Sequence, residues 1–330
     1  MLRSTLANSI RICNWKARLL FSLSVRRAGT VGLVVEGPAR ETVVVIDGSP
    51  TVRRRRLGLI LRGLREKAGL TGEDVGAAIE RSGSWVSRVE TGRVGLRGRD
   101  LNDLLEVYHV DDKAICDELL ALAREGKQRG WWSKYADTLS GPYATYIGFE
   151  SEAAEILVYE TLIVHGLLQT EEYARAMFGA AMLPHNTGDM VERKVKVRME
   201  RQELLTRQNP LKLWAILDES VLRRQIGGTD VLRSQLKHLL EASTMPNVII
   251  QIVPFEGGPH AGMIGSFSLV RFPSRDDPDI VYIEGVTGDI FAETEDARSY
   301  QEVFDHLRAA ALSPTESRLK IERAWDGLLT

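Results

Sequence analysis

The sequence predicts an all-helical domain followed by a mixed α+β domain, mainly α overall. Three observations lead there. Apolar residues recur at helical spacing from Leu57 to Leu122. Beyond Trp131, short β-branched runs alternate with amphipathic stretches. A chain of 330 residues is long enough for two cores of ordinary size. The 44% hydrophobic and 27% charged composition is that of a globular protein rather than a disordered one. No apolar run approaches the ~20 residues of a membrane helix, so no membrane association is expected and a cytoplasmic location is. Cys13 and Cys116 are too few for a disulfide framework or a cysteine-built zinc site. Neither a metal nor a cofactor is expected.

Charge is uneven along the chain. Residues 1–35 hold six Lys and Arg and no acid. From 51 to 110 there are 12 Lys and Arg against 8 Asp and Glu, and from 111 to 330 there are 24 against 34. The basic stretch suits phosphate, which the larger acidic part would repel. Residues 1–50 read as a disordered or mis-started extension, although an Arg-rich, acid-free start also resembles a transit peptide. Residues 51–126 form the helical domain and 127–330 the α+β domain.

Within 51–126 five helices are expected. Leu57, Ile60, Leu61 and Leu64 share one face of the first, which Gly69 closes. Thr71 caps the second, with Asp74 at the capping-box position. A third runs from Ser82 to Thr91 and ends at Gly92; the fourth opens at Asp100 and the fifth near Asp111. In the second domain, strands are expected at 156–164, 211–217, 248–253, 267–272, 280–283 and 289–292, with the later ones hairpin-like. Helices are expected at 171–181, 189–207, 230–242, 296–311 and 315–328.

The second and third helices are short and separated by a tight turn. The third turns Val86 and Val89 inward and shows small or polar residues outward, Gly83, Ser84 and Ser87, with Arg88. A helix that enters the major groove needs a packed back and a front thin enough to reach base edges. Ser82, Ser84, Val86, Ser87, Val89, Glu90 and Gly92, with Leu61, Arg62, Arg65, Gly69, Leu70 and Thr71, resemble the signature of the Xre/Cro/lambda-repressor family of helix-turn-helix regulators.

The resemblance implies that Gly83, Ser84 and Arg88 face bases, that Trp85 and Ser87 lie beside phosphates, and that Arg65 and Glu90 bridge two helices. Gly72 stands where the family often has Gln, and Gly83 lacks a side chain, which leaves Arg88 as the best base reader. Arg53 to Arg56 on one side, and Arg93, Arg97 and Arg99 on the other, read as phosphate contacts.

Further along, Glu150 to Ala153, Gly166 to Ala176, Asp218-Glu219, Gln235-Leu236, Val253 to Phe255, Gly265 to Phe267 and Tyr282 to Glu284 resemble the large actinobacterial family of such regulators. In that family an uncharacterised domain follows the DNA-binding one. His165 departs from it, standing where Pro is usual. The resemblance implies a small partner protein and an antitoxin-like character. The acids Asp218, Glu219 and Glu284 can meet at one sheet edge, and His260 lies in a glycine-rich segment, but no metal spacing, nucleophile elbow or phosphate loop accompanies them. The expectation is therefore no catalytic residue and no enzyme. It is a regulator of double-stranded DNA, acting as a homodimer, whose C-terminal domain senses a ligand or binds a partner. The alternative is an antitoxin-like protein that mainly neutralises a small partner.

Overall fold

Helix α1 (Pro50–Lys67) begins seven residues, about two turns, earlier than its apolar spacing indicates. It is followed by α2 (Gly72–Ala78), α3 (Gly83–Glu90), α4 (Gly98–Val107) and α5 (Lys113–Glu125). The computed structural model describes residues 50–128, 130–180, 188–274, 277–285, 289–293 and 295–328. The expected N-terminal extension lies outside the described residues. Thr71 and Asp74 close the capping box at α2, each side chain bonding the other's backbone N–H. Ser82 accepts from Trp85 N and Asp112 from Ala114 N, so α3 and α5 are capped too. The five helices bury Leu57, Leu61, Val75, Val86, Val89, Leu101, Leu104 and Leu119 in one core.

The turn between α2 and α3 holds Glu80 at φ 55°. That left-handed conformation costs a residue with a Cβ roughly 1–2 kcal/mol, part of which glycine offsets by its greater freedom when unfolded. Glu80→Gly is thus expected to stabilise the protein by about 1 kcal/mol. Thermal melting of the full chain should show a rise of a few degrees, and no rise for Glu80→Ala.

Past a 3-10 turn (Trp131–Tyr135) comes α6 (Gly141–Glu152), which no periodicity announces. It buries Tyr146, Ile147, Gly148, Phe149 and Glu150 in succession, so apolar and polar positions do not alternate at helical spacing. The sheet consists of β1 (Glu155–Glu160), β2 (Lys212–Asp218), β3 (Val248–Val253), β4 (Phe267–Arg271), β5 (Ile280–Ile283) and β6 (Ile290–Glu293). Its order is β3-β2-β1-β4-β5-β6. The first three strands are parallel, joined by α7 (Glu171–Ala180) with α8 (Gly188–Gln202), and by α9 (Thr229–Ala242). The last three form an antiparallel meander on β1, the late hairpin group of the sequence.

Period-2 alternation sorts the strands between two cores. Ile156, Val158, Leu213, Ala215, Ile250 and Val270 face α9, α6 and α11 (Pro314–Asp326). Leu157, Tyr159, Ile216, Phe267 and Leu269 face α10 (Glu295–Ala310) through Phe304 and Leu307. The mixed α+β class is the expected one, with helices on both sides of one sheet. Because β5 runs parallel to β1, the end of β1 at Glu160, the end of β2 at Asp218 and the end of β5 before Glu284 lie at the same end of the sheet.

Candidate nucleic-acid interface

The exposed front of α3 is built by its own spacing. Val86 and Val89 are buried and set the helix against α1 and α2. Ser84, Ser87 and Arg88 are exposed on the other face. Gly83 is half-buried; a Cβ there would stand 3.2 Å from Glu73 N and 3.0 Å from its Oε1, so its lack of a side chain lets α2 approach the start of α3. Trp85 is half-buried too, packed on the helical core with the Arg81 guanidinium 5.4 Å over its ring. Arg81 also pairs with Asp100 at 2.9 Å, which ties the turn before α3 to α4.

Arg65 and Glu90 meet as the sequence implies. Arg65 Nε donates to Glu90 Oε1 at 2.6 Å, Nη2 to Oε2 at 3.0 Å, and Nη1 to Leu70 O at 2.8 Å. Glu90 is only 8% exposed, so its charge is spent inside the domain rather than toward phosphate. Hydrogen bonding to Glu90 raises the Arg65 pKa, and burial beside Glu90 pushes the Tyr108 hydroxyl up to about 12.

The basic residues around the motif divide into two sets. Arg93, Arg97 and Arg99 follow α3 and are exposed. Among the described residues, none of these three and not Arg88 forms an ion pair. Arg53 to Arg55 are different, and the phosphate reading does not hold for them. Arg53 pairs with Glu125 at 3.2 Å. Arg54 is half-buried against Gly126, and desolvation lowers its pKa. Arg55 is 3% exposed, donates to Pro278 O at 2.9 Å, and lies 5.9 Å and 5.7 Å over the Phe149 and Phe272 rings.

The first turns of α1 therefore join the two halves of the chain: Val52 belongs to the core under the sheet, and Thr51 abuts Gly148 of α6. Sequence reasoning missed this joint because an arginine bound for an interior looks no different from one bound for phosphate. Trp131 packs edge to face against Trp132 and against Tyr135, beside the same joint.

The remaining sequence candidates have structural partners. Glu219 is buried and accepts from Lys320, Arg223 and Phe255 N. Asp218 caps the following 3-10 turn through Ser220 N. His260 accepts from Gly262 N at 3.2 Å and rests edge-on against Tyr159.

A helix-turn-helix domain model matches residues 56–115, the span from α1 into α5 that contains this exposed face. That makes the chain a DNA-binding regulator. A second family model, described as Domain of unknown function (DUF5753), matches residues 143–323, more than half of the chain. The chain belongs to the DUF5753 family. The DUF5753 match runs from α6 into α11 and so takes in the whole sheet. No curated protein matches the chain, and no solved structure does. Among the described residues, no helix is long and apolar enough to cross a membrane.

Proposed function

We propose that this protein is a sequence-specific transcriptional regulator of the Xre/Cro/lambda-repressor type, from the actinobacterial family whose signatures it resembles. It reads double-stranded DNA in the cytoplasm through α3, performs no catalysis, and uses its C-terminal domain to sense a ligand or hold a partner protein. One observation carries the reading. Arg88, Arg93, Arg97 and Arg99 form an exposed, unmatched basic run along and beyond α3, whereas the nearby Arg65 and Arg81 are each matched by an acid. Unmatched arginines beside a thin, small-residue helix face are what phosphate positioning and base reading require.

A single recognition helix covers too few base pairs for selectivity, so the protein acts as a homodimer on two half-sites ~34 Å apart. Of the apolar residues of α10 and α11, Phe304 and Leu307 are buried under the sheet and Trp325 packs against its other core, whereas Leu319 is 47% exposed. Arg88→Ala is expected to weaken binding to the specific operator by about 1–3 kcal/mol, with a much smaller loss on random DNA. Operators recovered by genome-wide footprinting and titrated at fixed salt test this. Equal losses on both DNAs would remove Arg88 as a base reader.

A further inference from the structure

We propose that the polar cluster enclosed by the end of β1, the start of β4, the end of β5 and helices α6 and α8 is a binding site for a small molecule that presents an oxyanion to Arg198. The inference deepens the ligand-sensing reading of the C-terminal domain and rests on it for its regulatory meaning. Among the described residues, the buried Tyr282 Oη and Arg198 Nε lack a hydrogen-bond partner, and Tyr146 Oη has only Ser268 within reach. An unpaired polar atom is costly to bury, so more than one in a neighbourhood marks a place kept ready for something else. They are close together. The Tyr146 and Tyr282 rings stack at 4.0 Å, Arg201 lies 5.5 Å over Tyr146, and the charges of both Arg198 and Arg201 reach His165. Glu160, Ser266, Ser268, Tyr282 and Glu284 fall on the same face of the sheet by strand register.

Charge decides the class of ligand. Two arginines of α8 enter this interior. Arg201 is matched by Glu150, but Arg198, 9% exposed, forms no ion pair among the described residues and lies 5.0 Å over the Phe178 ring. A lone buried cation is costly unless it has a partner. The chain nevertheless makes room for it. A Cβ on Gly166 would stand 2.0 Å from Arg198 Nη1, and Gly166 is not in the left-handed region, so its glycine serves space and not backbone conformation. The guanidinium and the two tyrosine hydroxyls are donors, and burial raises the Glu160 carboxyl to about 8, which gives it a proton to donate near neutrality. Donors around an unmatched cation fit a carboxylate or a phosphate.

The route to DNA is short. Tyr146 and Glu150 of α6 line the cluster, while Gly148 and Phe149 of the same helix press on Thr51 and Arg55 of α1. At its other side α1 meets α3 so closely that a Cβ on Gly58 would stand 2.4 Å from Glu90 O.

The test uses the full chain with benzoate and with inorganic phosphate as probes, and chloride at matched ionic strength as control. One of the two probes is expected to raise the melting temperature by roughly 5–10 °C at a hundredfold excess over its Kd, and benzoate against phosphate identifies the oxyanion source. Arg198→Met and Gly166→Ala should abolish that rise. Without probe, Arg198→Met should itself melt about 2–4 °C higher, because an apolar side chain replaces a lone charge. An arginine with a purely structural role gives the opposite sign.

The proposal is overturned if neither probe exceeds chloride, if Arg198→Met responds like the parent, or if Arg198→Met melts lower. Gly166→Ala can fail to fold, and Arg198→Met then decides alone. Operator affinity separates the two readings. A probe that binds through Arg198 without changing DNA affinity upholds the site and removes the sensor.

Discussion

Glu150→Ala is expected to cost about 3–5 kcal/mol of stability, the usual loss when one member of a buried ion pair is removed. Glu150 is fully buried and Arg201 is 2% exposed; Nε and Nη2 each donate to the carboxylate at 2.7 Å, and Nη1 donates to the Tyr143 hydroxyl. Burial works against the Arg201 charge, but the attraction of Glu150 outweighs it and holds the guanidinium pKa well above its usual value. Truncation to alanine leaves that charge in an interior of Tyr143 and Tyr146 rings. The loss should appear in urea unfolding of the full chain as a lower midpoint with little change in slope. Replacing both residues by methionine should recover most of it, since two apolar side chains leave no stranded charge. A loss below about 1 kcal/mol for Glu150→Ala would mean that water reaches Arg201.

Local chemistry made much of the fold legible. The caps at Thr71 and Ser82 act within three residues of chain, so the sequence shows both partners at once. The six strands stood out because β-branched runs were bounded by turn residues, and Arg65 with Glu90 stood out through a familiar signature. What stayed hidden depends on neighbours far away in sequence. Helix α6 is buried on more than one side, which erases the period that would announce it. Arg55 meets Pro278, 223 residues on, and Arg198 meets Gly166 across 32, and nothing local distinguishes these arginines from solvated ones. The exposed arginines after α3 were legible as a basic run, but only the structure separates them from Arg53, paired with Glu125, and Arg55, buried in the joint.

The enclosed carboxyl of Glu160 leads to a pH dependence whose sign can be worked out. Glu160 is half-buried as a residue, yet its carboxyl group is shut away under the end of β1, and burial raises its pKa to about 8 from the 4.5 of an open chain. Ser266 and Arg198 pull that value down and Glu284 pushes it up, without reversing the effect of burial. Below pH 4.5 the group is protonated in both the folded and unfolded chain and makes no difference. Between 4.5 and 8 the unfolded chain releases the proton while the folded protein keeps it, so stability falls as pH rises. Above that window both forms are ionised and the loss, on the order of 5 kcal/mol, is complete.

Glu160→Gln keeps the shape and cannot ionise, so the variant should match the parent in mild acid and exceed it in mild alkali, with a melting temperature roughly 10 °C higher at the alkaline end. Taking the difference between the two proteins at each pH removes the contribution of every other titrating group. A difference that stays flat would place Glu160 in contact with solvent. One that grows toward acid would mean its carboxylate is stabilised in the fold, matched by Arg198, and Arg198 would then have no charge left for an anion.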